Sequence, residues 1–279
     1  MCLVAEMTWP EGRFFNAGGY LPPMTTYAQN FEDVTLRRTL QDVQRGFYVD
    51  IGAWHPTQDS VTRWFYDQGW CGINVEPNPH FLELLSKERP RDINLGCAIG
   101  AGQRKATLHI VGETGLTTID PTVSKGLSVT QRISVEIISL DELLKAHVVD
   151  EIDFIKIDAE GSETAIIDGA EFSHYRPRII LVEATGLHIY NPILERKGYR
   201  FVWFDGLNAF YLREEDIWRA DLLARPPSLW DSAKSSAVAE LSGALGKRDV
   251  TCTLTKALRL RAFSFCQRLA SRCRQLREK

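Results

Sequence analysis

Acids stand at the ends of four apolar runs, and carboxylates placed in that way can hold sugar hydroxyls, accept a proton or ligate a metal. Asp50 lies in Phe47-Tyr48-Val49-Asp50-Ile51, just before Gly52 and Ala53. Glu76 follows Gly72–Val75, Asp158 and Glu160 follow Ile152–Ile157, and Glu183 follows Arg178–Val182. Short runs of β-branched and aromatic residues bounded by turn residues read as buried strands. In a parallel sheet all the carboxyl ends face one way, so these acids would gather in one crevice. A single strand-end acid is most simply a helix cap or a solvated turn; a set at corresponding ends is a candidate site.

The elements that must position these acids alternate. Helical spacing of Phe31, Val34, Leu36, Leu40 and Val43 predicts a helix over 30–44, ahead of the strand at 47–51. A helix over 60–68, a strand over 72–75, a helix over 79–88 and a strand over 93–98 follow. Strand–helix–strand alternation is the pattern of right-handed crossovers in a parallel sheet. Between Gln103 and Ser139 the helical period disappears, and two strand-like runs flank a Gly/Thr-rich loop, so an inserted hairpin or lid is expected there. Ser139-Leu140-Asp141-Glu142 is a capping box that opens a helix over 140–146. A short helix is expected after Tyr190-Asn191-Pro192, then a hairpin of strands 199–204 and 209–212 at the sheet edge.

Two nucleotide fingerprints are absent. No G-x-G-x-x-G follows the first strand and no G-x-x-x-x-G-K-[ST] loop occurs, which disfavours dinucleotides and nucleotide triphosphatase chemistry. A cofactor with ribose but no pyrophosphate fits better, because Glu76 is placed to accept hydrogen bonds from ribose hydroxyls. The segments YVDIGAWHPTQDSVTRWFYDQGWCGINVEP, IDFIKIDAEGSE, RPRIILVEAT and FVWFDGLNAFYL, with YAQNFEDV upstream, resemble the FkbM-type S-adenosylmethionine-dependent methyltransferases. The resemblance runs from about Tyr27 to Arg213 with the motifs in the family's order. It implies a Rossmann-like class I methyltransferase fold of the α/β class, with a mostly parallel seven-stranded sheet, helices on both faces and an inserted β-hairpin or lid. It further implies that Asp50, Gly52, Ala53 and Glu76 bind S-adenosyl-L-methionine, that Asp158 sits beside the methyl-transfer centre, and that Gln29 and Glu32 lie in a helix over the pocket. Relatives commonly methylate oxygen, often on sugars in polysaccharide, lipopolysaccharide or natural-product pathways. The region from Glu183 to Tyr199 is shorter than in similar members.

Methyl transfer from a sulfonium to a hydroxyl needs in-line geometry and a proton acceptor. Asp158, Glu160 and Glu183 are the candidate bases, and they could equally hold a divalent metal that acidifies the hydroxyl. His55, after the cofactor turn, and His188, after Glu183, lie at the correct sheet edge for a base, although a loop histidine is an equally ordinary reading of each. Two rival functions stand beside an O-methyltransferase acting on a small-molecule or glycan acceptor. One is a member of the fold that binds cofactor or partner without turnover; the other is a nicotinamide oxidoreductase on a similar sheet.

The composition is that of an ordinary globular chain, with 279 residues, 44% hydrophobic, 25% charged and a net charge of -3. Nothing in it calls for nucleic-acid binding. The charge is unevenly placed, since 251–279 holds eight Lys or Arg against one acid, Glu278. At 100° per residue Leu258, Ala262, Phe265, Cys266, Leu269, Cys273 and Leu276 share one stripe, so a basic amphipathic helix is expected, docked on its own domain, on a protein partner or on a membrane surface. The expected organisation is an irregular arm at 1–26, a methyltransferase-like domain at 27–227, a linker at 228–250 and this helix at 251–279. Six cysteines without metal or redox spacing, no signal-like start and no bilayer-length apolar run suggest a cytoplasmic protein, peripheral to the membrane if the tail binds lipid.

Overall fold

In the computed structural model, residues 22–101, 104–147, 151–184, 187–228 and 231–236 are described. The side chains of Leu187 and His188 are outside that set, as are the expected basic helix at 251–279 and most of the arm and linker. The framework is a seven-stranded sheet, as the family resemblance implies, and it is mostly parallel, as the alternation predicts. Its strands, in spatial order, are β10 (Tyr199–Phe204), β11 (Asn208–Arg213), β9 (Ile179–Glu183), β8 (Phe154–Ile157), β2 (Phe47–Ile51), β3 (Cys71–Val75) and β4 (Ile93–Leu95). Only β11 runs against the rest, threading back between β9 and β10.

The strands are apolar on both faces because helices cover both. One core joins Val49, Ile51, Ile73, Ile155, Ile157, Ile180 and Val182 to α4 (Leu140–His147), α5 (Glu163–Gly169) and α6 (Leu187–Arg196). The other joins Tyr48, Phe154, Ile179, Leu181, Phe210 and Leu212 to α1 (Glu32–Thr39), α2 (Arg63–Asp67) and α7 (Ala220–Leu223). Because side chains alternate along a strand, the second face can change character toward the carboxyl ends, and it does. Tyr48 is followed on that face by Asp50, Phe154 by Lys156 and Leu181 by Glu183. The register aligns the change, since Asp50 pairs with Asn74 on one side and with Lys156 on the other. One row nearer the amino ends, Gly72 makes room for the Tyr48 ring; a Cβ there would lie 2.3 Å from Tyr48 Cδ2.

Several expectations are corrected in detail. The strand expected over 93–98 divides at Gly96 and Cys97. β4 stays in the main sheet, whereas β5 (Ala98–Ile99) leaves it to pair with β7 (Gln131–Ile138), which forms a hairpin with β6 (Lys105–Ile110). The expected insertion is thus a three-stranded sheet of its own. The helix α6 begins at Leu187 and contains Pro192 rather than starting at it. An interior proline removes one i→i−4 hydrogen bond and crowds the carbonyl four residues back, which is why the sequence alone favours a helix start after Pro192. β1 (Met24–Thr26), expected within an irregular arm, pairs in parallel with β12 (Ala233–Ser235), expected within a linker. A buried Arg38–Asp231 ion pair at 2.9 Å closes this clasp. The capping box forms as expected, with Glu142 N donating to Ser139 Oγ and Ser139 N to Glu142 Oε2.

Candidate active site

A cleft of about 860 Å³, open mouth included, lies over the carboxyl ends of β2, β3 and β8, roofed by the inserted sheet. Its wall includes Gln29, Gly52, Ala53, Trp54, Glu76, Lys156, Asp158 and Glu160, with Leu108, Thr117, Thr118 and Ile119 from the insertion.

Gly52 makes the turn at the end of β2. Its φ is +76° and a Cβ would lie 1.8 Å from the Asp158 carbonyl oxygen, so β2 and β8 close together only with glycine here. The chain then runs to Trp54, whose backbone N–H donates to Glu76 Oε2 at 2.8 Å. The other oxygen, Glu76 Oε1, accepts from Asn78 N at 2.7 Å. Burial raises the Glu76 pKa to about 7, against the pull of those two amides and of Lys156. Each carboxylate oxygen keeps a lone pair beyond its amide bond.

Asp50 does not line the cleft. It is buried one layer below, where its Oδ2 accepts from Thr62 Oγ1 at 2.8 Å and its Oδ1 lies 3.4 Å from Lys156 Nζ. Lys156 Nζ also donates to the Gly52 carbonyl at 3.0 Å and lies 3.3 Å from Asp158 Oδ2. Burial disfavours the ammonium, but Asp158 and Asp50 outweigh it and hold the Lys156 pKa above its ordinary value. Below Asp50, the fully buried Arg89 bonds the Pro56 carbonyl, Ser60 and Thr62, fixing the loop that follows the turn.

Asp158, Glu160 and Glu183 converge, with carboxylate oxygens from all three within 4.8 Å of one another. The turn carrying the first two is tight, with Glu160 at φ 43° and Gly161 at φ 106°. Glu163 stabilises it by accepting from Ala159 N and Gly161 N. The roof is tied on as well, since Thr118 Oγ1 donates to the Glu160 carbonyl at 2.7 Å. Such a carboxylate trio suits a divalent cation in ligand type, but Lys156 already places a positive charge against Asp158.

His55 is not brought to the cleft. Its Nδ1 accepts from the amides of Thr57 and Gln58 at 3.1 and 2.9 Å, and its ring packs near Phe81. Burial, the largest influence, lowers its pKa, so it serves as a neutral acceptor that shapes the loop. Glu32 also lies outside the lining. It accepts from Asn30 N and from Asn208 Nδ2, both at 2.7 Å, joining α1 to the start of β11. Gln29, from the same segment, does reach the cleft.

Comparison with known families gives this site its relatives. Residues 50–201, more than half of the chain, match the family model described as the methyltransferase FkbM domain. The chain belongs to the FkbM methyltransferase family. The match starts at Asp50, near the end of β2, and spans the turn, Glu76, Lys156, the acid trio and the strands β3, β8 and β9. No curated protein matched this FkbM chain. Among solved structures it is similar to a TehB-like SAM-dependent methyltransferase from Corynebacterium glutamicum, at 11% identity over 64% of this chain and 87% of that one, TM-score 0.35. It is also similar to an O-methyltransferase from Bacillus cereus in complex with SAH, at 12% identity over 69% and 83%, TM-score 0.33.

Lys156 and Glu163 are the site residues that the sequence reading of this FkbM chain missed. A signal existed for the first, since Lys156 is a lone cation in the run Phe154–Ile157, and a buried cation requires paired anions.

Glu32 supplies a test of the site's edge. Burial, aided by Asp205, raises its pKa to about 8. The unfolded chain therefore ionises Glu32 near pH 4.5 while the folded chain keeps it protonated, so this group's contribution to stability is full below about 4.5 and is lost as pH rises toward 8. Between pH 6 and 8 the loss is roughly 2 kcal/mol. Urea unfolding at those two pH values should show Glu32→Gln losing less stability than the wild type.

Proposed function

We propose that this chain transfers a methyl group from S-adenosylmethionine to a hydroxyl oxygen of a sugar or related polyol. The observation that carries the reading is the pairing, in one cleft, of the Glu76 carboxylate at the end of β3 with the Gly52 turn, Asp158 and Glu160, the last two clustered with the buried Glu183 at the end of β9. Two sealed polar atoms in the cleft wall, Trp54 Nε1 and Thr117 Oγ1, have no hydrogen-bond partner among the described residues, which fits a wall built for a polar ligand.

When bound, S-adenosylmethionine supplies an electrophilic methyl on a sulfonium and leaves as S-adenosylhomocysteine. Glu76 accepts the ribose hydroxyls, and the backbone from Gly52 to Trp54 receives the neighbouring part of the cofactor. Lys156 holds the Gly52 carbonyl and Asp158 in fixed relation, so the cofactor turn and the acid loop move as one unit. Asp158, Glu160 and Glu183 bind the acceptor hydroxyl and take its proton as the oxygen attacks, leaving a neutral methyl ether. In-line placement contributes most of the rate, and the base adds about 10²–10⁴-fold. A second reading, in which the trio holds a divalent cation, is favoured by the 4.8 Å clustering. It predicts that chelator removes turnover and that Mg²⁺ or Mn²⁺ restores it, whereas the base reading predicts no loss.

Thermal shift separates the functional classes. S-adenosylmethionine and S-adenosylhomocysteine should raise the melting temperature and NAD should not; stabilisation by NAD alone would contradict the proposal. Since a carboxylate, not a carboxylic acid, accepts from both ribose hydroxyls, S-adenosylhomocysteine should bind more tightly at pH 8 than at pH 6, as Glu76 passes about 7. Asp158→Asn should retain cofactor binding within a few fold and lose about a hundredfold in turnover on an accepted glycan or polyol. Full turnover in that variant would remove Asp158 from the reaction centre.

A further inference from the structure

The indole of Trp54 is held more firmly than a pocket wall requires. Its backbone sits in the left-handed region at φ 51°, a conformation that is strained for a bulky residue. The Glu76 carboxylate holds that conformation through the Trp54 N–H. On one side the ring meets Phe81 edge-on, with centroids 5.7 Å apart. On another lies Gly115 of the inserted loop, where a Cβ would be 3.5, 3.7 and 3.8 Å from Cδ2, Cγ and Cε2, placing the loop over the ring. The ring is thus fixed in the cleft wall while its Nε1–H, sealed from solvent, donates to nothing among the described residues. A buried indole N–H without a partner is costly, and such groups are ordinarily satisfied.

We infer that Trp54 is a specificity-determining residue whose Nε1–H is satisfied by the nucleoside half of the bound cofactor, an inference that rests on the cofactor reading above. Position decides which half. Of the two strands flanking β2, β3 ends in Glu76, which anchors Trp54, whereas β8 ends toward Asp158 on the opposite side. Trp54 and Phe81, from α3 (Pro79–Glu88), therefore stand on the ribose and base side, away from the acid trio. The inserted sheet becomes part of cofactor recognition through Gly115, which keeps the indole from turning away.

Trp54→Phe keeps an aromatic ring in the wall and deletes the N–H together with the pyrrole half of the indole. Calorimetric titration should use S-adenosylhomocysteine and 5′-methylthioadenosine, which carries the nucleoside and thioether without the amino acid. Loss of one hydrogen bond should weaken both ligands by the same factor, roughly three- to tenfold, with an unliganded melting temperature close to that of the wild type. Should the Phe variant not fold, Trp54→Met provides the same comparison of the two probes. Unchanged affinity for both, or weakening confined to S-adenosylhomocysteine, would overturn the assignment to the nucleoside half. Wild-type chain that binds neither probe would overturn the cofactor reading itself, and this inference with it.

Discussion

One buried ammonium organises the site. Lys156 lies within reach of Asp50, Asp158 and the carbonyl of Gly52. A cation this deep is tolerated only with close anionic partners, and those partners lie on different segments. β8 must therefore sit against β2 in the register that aligns Lys156 with Asp50. A shift of one residue would turn the lysine into the apolar core on the other face. The same contact brings the turn after β2 against the acid loop after β8, and Gly52 is what lets those backbones meet.

The remainder of the site extends outward from that contact. Asp50 links down through Thr62 to Arg89, which holds the loop at 56–62. Glu76 links sideways to Trp54 and Asn78, setting the entry to α3. Glu163 shapes the acid loop, and Thr118 fastens the inserted sheet above it. Polar groups of this kind are worth little singly when satisfied and are costly when one is left alone, so they specify an arrangement more than they stabilise it. The chain's apolar cores supply stability on both faces of the sheet, and the polar row at the carboxyl ends supplies the geometry.

What was legible in the sequence follows from this division. Strand ends, crossovers and the capping box at Ser139 were readable because each depends on local pattern, and the convergence of Glu76, Asp158, Glu160 and Glu183 followed from parallel strand direction. The division of 93–98 into β4 and β5 was not readable, since it depends on which sheet offers a partner. Met24–Thr26 and Ala233–Ser235 are too short to show a period, and they are strands only because they meet. His55 was placed by sequence adjacency to the turn, but its imidazole is claimed by two local amides. The family resemblance implies a cofactor contact for Asp50; Ile51 follows it in the strand, and its carboxylate lies beneath the cleft wall, bonded to Thr62 and set against Lys156. Lys156 was passed over in an apolar run where its charge was the informative feature.

The most direct test of this account is the S-adenosylhomocysteine affinity of Asp50→Asn/Lys156→Met, which removes the buried pair together and leaves neither charge stranded. A folded protein with about tenfold weaker binding or worse is expected, because the turn at Gly52 and the acid loop are no longer held together. Affinity equal to that of the wild type in the folded double variant would contradict it.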